Sequence, residues 1–176
     1  MNVGGQRLFF ALWPPAELRV MLEDLAASAS RRASARPSRA ETLHLTLVFL
    51  GHCAPGQVAR LQAGAARIEL PPFVIAFDQL GCWPGNGIVW LAPSAPPPEL
   101  LALEAALRAL AKTQGCRVER RPYAPHLTLA RRAQSAFSAE TIVALSWRAE
   151  RVSLVESMLT PRGPRYRDLA SWPLSG

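Results

Sequence analysis

The pattern of apolar positions along the chain predicts short strands separated by amphipathic helices. Apolar runs bounded by glycine or proline are typical of buried strands. Such runs occur at 7–13, 43–50, 73–80, 88–91 and 125–130. The segments 147–157 and 166–169, on either side of a turn at 161–164, predict a closing hairpin.

Apolar residues spaced three or four positions apart predict helices between these strands. One helix begins at Pro14–Pro15 and runs to about Ala29, because proline is tolerated in a first helical turn. A second begins at Pro55, and a third contains Leu100, Leu103, Leu107 and Leu110 and ends near Gly115. A shorter helix is predicted over 138–145.

Together these elements predict an α+β fold. The interpretation is a bilobal protein with two similar lobes, each an antiparallel sheet with helices, and an active-site cleft between the sheets. The 176 residues make one domain, 1–176, built from these two pseudo-symmetric lobes. The proline-rich segment 92–98 is the expected boundary between them.

Composition narrows the class of protein. Hydrophobic residues make up 49% of the chain and charged residues 19%, which is enough apolar surface for a core. No apolar run approaches the roughly 20 residues that cross a bilayer. The first residues lack the pattern of a secretory signal. We therefore expect a cytoplasmic protein with no membrane segment.

The cysteines indicate whether the chain has disulfides or a zinc site, and the net charge indicates the kind of partner. Cys53, Cys82 and Cys116 are odd in number and widely spaced, which argues against a disulfide framework or a zinc ribbon. The net charge is +7, and all but one of the 20 cationic residues are arginine. Guanidinium groups bind phosphate oxygens well, so the charge favours a polyanionic partner, although an arginine-rich genome would produce the same composition.

The tetrapeptide His-Leu-Thr-Leu occurs twice, at 44–47 and 126–129, in positions 82 residues apart. On a strand, alternate side chains share a face, so each histidine lies beside its threonine while the leucines face a core. The alternative is a pair of strand histidines satisfied by their neighbours. The repetition favours a functional pair, since few residues of either type are present.

Two imidazoles with two hydroxyls suit acid–base chemistry at a phosphodiester. Near neutral pH one histidine can accept a proton while the other donates one. The threonine hydroxyls can donate hydrogen bonds to the anion. A catalytic zinc site would require a third protein ligand, which neither motif supplies, so no metal is expected. No phosphate-binding loop of the Gly-x-x-x-x-Gly-Lys type occurs, and His52 is expected in an exposed turn.

The chain resembles the 2H phosphoesterase superfamily, and within it the bacterial and archaeal RNA 2′,3′-cyclic phosphodiesterases, also called 2′-5′ RNA ligases. The resemblance covers nearly the whole chain. It is carried by segments 7–12, 43–51 and 125–131, with Leu154, Ser157 and Tyr166 in the tail. The two His-x-Thr-x motifs are the signature of that superfamily.

The resemblance implies metal-independent hydrolysis of an RNA 2′,3′-cyclic phosphodiester to a 2′-phosphomonoester, without a cofactor. It implies that His44 is the proton donor to the leaving 3′ oxygen and His126 the proton acceptor from water. Thr46, Thr128 and Arg131 match residues that bind the phosphate. Strict alternation would point Arg131 away from His126, so its role requires a bend in the strand.

Other candidates depend less directly on the motifs. Arg36 matches an arginine found in relatives, but Pro37 replaces the tryptophan that often follows it. Tyr123, Trp83 and Trp90 are candidates for stacking on a base, although packing is the commoner role of such residues. The expected partner is RNA with a cyclic phosphate end, and the expected state is a monomer.

Three other functions remain open on the sequence alone. They are reversible 2′-5′ RNA ligation, non-catalytic RNA binding, and hydrolysis of a small cyclic nucleotide or a 2′-5′ oligonucleotide.

Overall fold

The computed structural model describes residues 5–161 and 163–176, and residues 1–4 and Arg162 of the predicted turn lie outside them. The strands are β1 (Gln6–Leu12), β2 (Arg36–Pro37), β3 (Leu45–Cys53), β4 (Phe73–Trp83), β5 (Ile88–Ala92), β6 (Leu127–Arg131), β7 (Glu140–Ala149), β8 (Arg151–Thr160) and β9 (Gly163–Pro173). The helices are α1 (Ala16–Arg32), α2 (Pro55–Ala65) and α3 (Pro98–Thr113), with a 3₁₀ turn at Ala40–Thr42.

The strands form a continuous antiparallel sheet in the order β7-β4-β5-β6-β3-β1-β8-β9, and the short β2 pairs with β6. Strands β4 to β7 make one half of this sheet. Strands β1, β3, β8 and β9 make the other, so the C-terminal hairpin returns to the half in which the chain began. The halves meet where Leu45 of β3 pairs with Leu127 of β6.

The helices pack against one face of the sheet. Leucines of α1, α2 and α3 join the inward side chains of β3 and β6, among them Leu45 and Leu127, in the main hydrophobic core. Helix α1 contacts β6 and α3 contacts β3, so each covers the motif strand of the other half. A smaller buried cluster of Phe9, Ala11 and Val155 is separate from this core.

The α+β fold, the three long helices and the closing hairpin are confirmed, with shifts of a few residues at most of their ends. The predicted helix over 138–145 is wrong, because this segment lies in β7. Within this segment Leu145 pairs with Phe77 of β4 and Thr141 with Gln79, and this long-range pairing overrides the local helical pattern. The segment 92–98 joins β5 to α3 and is not the passage between the halves of the sheet.

The cysteines are free thiols, with Cys53 and Cys82 buried and Cys116 partly buried. The sulfur atoms of Cys53 and Cys116 lie 3.9 Å apart, a proximity that their spacing does not predict. Among the described residues, no helix is long and apolar enough to cross a membrane.

Candidate active site

The two repeated motifs lie side by side at the centre of the sheet. Burial alternates through both: the residues flanking each histidine and threonine are buried, while His44, Thr46, His126 and Thr128 are partly exposed. Each histidine immediately precedes its strand, since β3 begins at Leu45 and β6 at Leu127. The expected sharing of a face by histidine and threonine is thus present in both motifs.

The antiparallel pairing of Leu45 with Leu127 sets the relation between the motifs. The neighbouring positions then oppose one another, His44 with Thr128 and Thr46 with His126. Residues diagonal to each other across an antiparallel pair lie about 7–8 Å apart, and the two histidines are such a diagonal. The charge of a protonated His126 lowers the pKa of His44, as expected for rings at this separation.

His44 is held by hydrogen bonds on both ring nitrogens. Its Nδ1 lies 2.7 Å from the carbonyl oxygen of Thr42, so Nδ1 is the protonated nitrogen and donates. Its Nε2, 2.9 Å from the Thr46 hydroxyl, therefore accepts a hydrogen bond from that group. Burial is the main cause that lowers the pKa of His44 to about 4, and the charge of Arg131 contributes in the same direction. The ring is neutral at pH 7 in the free protein.

His126 is oriented in the same way. Its Nδ1 donates to the carbonyl oxygen of Ala124 at 2.8 Å, which leaves Nε2 as the unprotonated nitrogen. Burial and the charge of Arg131 lower the pKa of His126 below its usual range. The ring of Trp83 meets the imidazole edge-on, with centroids 4.7 Å apart. Both histidines thus have a fixed tautomer in which Nε2 is the unprotonated nitrogen, and in His44 this nitrogen accepts the hydrogen bond of the Thr46 hydroxyl.

Arg131 faces the site because β6 contains a bulge. Val89 of β5 pairs with Ala130 and Trp90 with Thr128, so Leu129 is an extra residue in the ladder. Leu129 and Ala130 are both buried, and the alternation restarts one residue later. The bend that the sequence analysis required for Arg131 is this bulge.

Two hydroxyl groups tie the motifs to each other. The Ser38 hydroxyl donates to the carbonyl oxygen of Thr128 at 2.8 Å, and the Ser38 amide donates to that of Leu129 at 2.8 Å. The Tyr123 hydroxyl donates to the carbonyl oxygen of Thr46 at 3.0 Å. Each threonine carbonyl is therefore held by a segment that precedes the opposite histidine.

Tyr123 thus has a different environment from the one expected of a stacking residue. Its ring packs against the main core, and burial raises the pKa of its hydroxyl. It is absent from the residues that line the pocket described next.

A pocket of about 220 Å³ opens beside His44. It is lined by Arg36, Pro37, Ser38, Arg39, Thr42, His44, Thr128, Arg131, Arg132, Gly163, Pro164 and Tyr166. Four of these residues are arginines and none is acidic. The pocket includes His44 and Thr128 but extends away from His126, towards β2 and the β8–β9 turn.

Aromatic residues around His44 are the part of the site that the sequence analysis missed. The rings of Phe9, Trp13 and Tyr166 lie with centroids 4.9, 5.4 and 5.1 Å from that of His44. Tyr166 was noted in the tail, but only the pairing of β9 with β8, and of β8 with β1, brings it to the histidine. These rings account for the desolvation of His44.

Trp83 and Trp90 form the corresponding wall beside His126, with ring centroids 5.4 Å apart. Gly81 makes room for Trp90, because a Cβ at Gly81 would lie 2.3 Å from its ring. His52 is exposed, as expected, and its Nδ1 lies 3.2 Å from the carbonyl oxygen of Gly5. Within 5–161 and 163–176, no group of three or more histidine, cysteine or acidic residues has an arrangement suited to a metal ion.

The sheet, with two histidine–threonine pairs on one face and arginines around them, defines a phosphoesterase of the two-histidine class. A family model described as the 2′-5′ RNA ligase superfamily matches residues 13–158. The chain belongs to this family, as the resemblance in its motifs indicated.

Similar proteins agree along nearly the full length of the chain. A protein of Escherichia coli named RNA 2′,3′-cyclic phosphodiesterase is 35% identical over 171 residues, which are 97% of each chain. A protein of Thermus thermophilus with the same name is 33% identical and covers 97% of this chain and 91% of its own. The crystal structure of E. coli LigT complexed with 3′-AMP matches with a TM-score of 0.91 at 35% identity, over 98% of this chain and 99% of that one.

Proposed function

We propose that the protein hydrolyses the 2′,3′-cyclic phosphodiester at the end of an RNA chain to a 2′-phosphomonoester, by proton transfers at two histidines and without a metal. The observation that carries the proposal is the antiparallel square of His44, Thr46, His126 and Thr128 around the Leu45–Leu127 pair. Two relatives named RNA 2′,3′-cyclic phosphodiesterase each cover 97% of this chain.

In the proposed reaction a water oxygen attacks phosphorus and the bond from phosphorus to the 3′ oxygen breaks. His126 accepts the proton of the water at Nε2, and His44 donates a proton from Nε2 to the departing oxygen. The hydroxyls of Thr46 and Thr128 and the guanidinium of Arg131 bind the phosphate oxygens and stabilise their charge. The two imidazoles then exchange protons with solvent to restore the starting state.

The shape of the pocket supports this assignment of donor and acceptor. In-line displacement places the attacking water opposite the leaving oxygen. Because the pocket extends from His44 and not from His126, it accommodates the nucleoside on the His44 side. The leaving oxygen belongs to that nucleoside, so it lies nearest His44.

The same site is also suited to the RNA ligation that the family's name describes. A 5′ hydroxyl of a second RNA strand, taking the place of water, would lose its proton to His126. Its attack on the cyclic phosphate, with departure of the 3′ oxygen, forms a 2′-5′ linkage. Small cyclic nucleotides are substrates for the same reaction. Comparing their turnover with that of RNA with a cyclic end distinguishes an enzyme for small nucleotides from an enzyme for RNA.

The test is turnover of RNA with a 2′,3′-cyclic end by His44→Ala and His126→Ala. Each loss of a proton-transfer group is expected to lower kcat by about 10²- to 10⁴-fold. His52→Ala is the matched control and keeps the wild-type rate, because His52 lies outside the site. Full activity in the double alanine variant contradicts the proposal, as does loss of activity on addition of a chelator. RNA binding without turnover in the wild type would instead favour a non-catalytic module.

The two roles are separated by a substrate with sulfur in place of the 3′ oxygen. Sulfur leaves without being protonated, so this substrate is expected to restore turnover in His44→Ala but not in His126→Ala. The opposite pattern would exchange the roles of the two histidines.

A further inference from the structure

The mouth of the pocket carries more positive charge than a single phosphate requires. Arg36 and Arg131 are direct cross-strand partners in β2 and β6. Side chains opposite each other in an antiparallel pair share a face, and like charges in that position are destabilising. The guanidinium groups of Arg36, Arg131 and Arg132 form no hydrogen bond or ion pair within the part of the chain that the structure describes. An anion beside these arginines would relieve their mutual repulsion.

Arg39 differs from these arginines. Its guanidinium donates to the carbonyl oxygen of Pro164 at 2.8 Å and pairs with the carboxylate of Glu41 at 3.3 Å. It therefore links the 3₁₀ turn to the start of β9 and shapes the wall of the pocket. Arg36 and Arg132 are the exposed arginines available for a ligand beyond the one that Arg131 serves.

The backbone holds Arg132 in an unusual conformation. Its φ of 59° lies in the left-handed region, which residues with a side chain rarely adopt. The segment after it is fixed, because the amide of Ala133 donates to the carbonyl oxygen of Gly87 and the amide of Gln134 to that of Ala33. Two successive residues, Arg131 and Arg132, thereby line the same pocket. Strain of this kind is retained where the position of the side chain has a use.

We infer that Arg36 and Arg132 form a second phosphate subsite, which binds the phosphate on the 5′ side of the terminal nucleotide. The inference rests on the proposed function. It adds the path that the RNA chain takes from the terminal nucleotide at the histidines. The pocket that begins at His44 is also lined by Arg36 and Arg132, so an RNA chain that continues along it from the terminal ribose passes these two arginines. The subsite accepts either an internucleotide phosphodiester or a free 5′-phosphate, since both present oxygens to a guanidinium.

The experiment compares three substrates: adenosine 2′,3′-cyclic phosphate, the same nucleotide with a 5′-phosphate, and a diadenosine with a 2′,3′-cyclic end. The measured quantity is the ratio of kcat/KM with the additional phosphate to kcat/KM without it. A charge-assisted contact predicts a ratio of about tenfold in the wild type. The ratio is expected to decrease with rising salt, because the contact is electrostatic.

The variants Arg36→Gln and Arg132→Gln are expected to bring this ratio close to one. Arg67→Gln is the matched control: Arg67 is exposed just after α2, and its loss removes the same charge with the ratio unchanged. Because each variant is compared with itself on two substrates, a general loss of folded protein does not change the ratio.

A wild-type ratio of one, or a ratio that both arginine variants retain, overturns the subsite. If the wild type opens adenosine 2′,3′-cyclic phosphate in that case, the proposed function stands without the subsite. If the wild type opens none of the three substrates, the proposed function fails, and the subsite fails with it. A preference for the diadenosine alone restricts the subsite to the internucleotide phosphate and supports it.

Discussion

At the scale of single residues, the two catalytic candidates share one hydrogen-bonding pattern. In both, Nδ1 donates to the carbonyl oxygen two positions earlier, Thr42 for His44 and Ala124 for His126. The rings are neutral in the free protein because burial lowers both pKa values. A phosphate between them favours the protonated form of either ring. Substrate binding and protonation of His44 are therefore coupled in the proposed reaction.

This coupling predicts the pH dependence of kcat/KM, which reports the free protein. The donor His44 has a pKa of about 4, and the acceptor His126 has a pKa below 6.5. Between the two pKa values the fraction with His44 protonated and His126 neutral is constant. Above both values, kcat/KM is expected to fall about tenfold for each pH unit.

Initial rates at low substrate concentration, from pH 4 to 9, test this profile. An optimum at pH 8 or above would contradict the low pKa values or the pairing of roles. His52→Ala is expected to leave the profile unchanged.

The residues of the site were predictable to different degrees. The shared face of His44 and Thr46, and of His126 and Thr128, followed from strand alternation alone. The orientation of Arg131 did not, because a single extra residue at Leu129 reverses the alternation and has no local sequence signal. The aromatic residues around His44 could not be predicted either. Phe9 and Tyr166 come together only because β1 pairs with β8, which lies more than 100 residues later in the chain, and β8 pairs with β9.

At the scale of elements, the bulge in β6 depends on the short strand β2. Ser38 donates from its amide to Leu129 and from its hydroxyl to Thr128, so it binds both carbonyls at the bulge. The Tyr123 hydroxyl does the same for Thr46 in β3. The relative position of the two motifs therefore depends on contacts that cross from each half of the sheet to the other.

Removal of the Ser38 hydroxyl is expected to lower activity more than stability. Ser38→Ala loses one hydrogen bond, a cost of about 1 kcal/mol in unfolding free energy. It also loosens the bulge that directs Arg131, and kcat/KM is expected to fall by about tenfold. Tyr123→Phe should have a similar effect through Thr46.

The matched control for both variants is Ser30→Ala. The Ser30 hydroxyl donates to the carbonyl oxygen of Ala27 at 2.9 Å within α1, away from the site. A comparable loss of stability with unchanged kcat/KM is expected there. Equal losses of activity in Ser30→Ala and Ser38→Ala would assign the effect to general destabilisation.

The error at 138–145 shows the limit of local pattern at this scale. The apolar residues of this segment are compatible with helical spacing, yet Glu140, Thr141 and Leu145 pair with residues of β4 between Phe77 and Leu80. Its burial alternates for much of its length, and Val143 is exposed at the edge of the sheet. Only the position of β4 in the folded protein determines that this segment is a strand.

At the scale of the whole molecule, each half of the sheet is packed against a helix that follows a strand of the other half, and hydrogen bonds also join the halves. Helix α1 follows β1 but packs on β6, and α3 follows β5 but packs on β3. The hairpin β8–β9 closes the half that begins the chain. The repeated tetrapeptide indicates the internal symmetry, but no sequence signal shows these crossings, and the prolines of 92–98 therefore predict a boundary that the fold does not have there.

Because each helix packs on the opposite half of the sheet, we expect the two halves to unfold together. Neither half can bury its motif strand without a helix from the other, so chemical denaturation is expected to show one cooperative transition. Tryptophan fluorescence and far-ultraviolet circular dichroism should give the same midpoint. Two separate midpoints would show that the halves are independent domains.

The buried histidines should also make the stability of the whole protein depend on pH. The pKa of His44 is about 4 in the folded protein and about 6.5 when unfolded, so the unfolded state binds more protons between these values. Stability attributable to His44 is therefore present above pH 6.5 and is lost as the pH falls towards 4. The charge of Arg131 and a protonated His126 act in the same direction on His44, while Phe9, Trp13 and Tyr166 exclude water around it.

The variant His44→Asn isolates this contribution, because an amide can replace the Nδ1 donor but does not titrate. Between pH 7 and 4 the wild type is expected to lose up to about 3 kcal/mol more unfolding free energy than the variant. Carboxylates with lowered pKa values, such as Asp78 and Glu140, lose their contributions in both proteins and cancel in the difference. Urea denaturation at several pH values measures it. Parallel stability curves for the two proteins would mean that His44 titrates as it does in an unfolded chain, and that the aromatic residues around it do not exclude water.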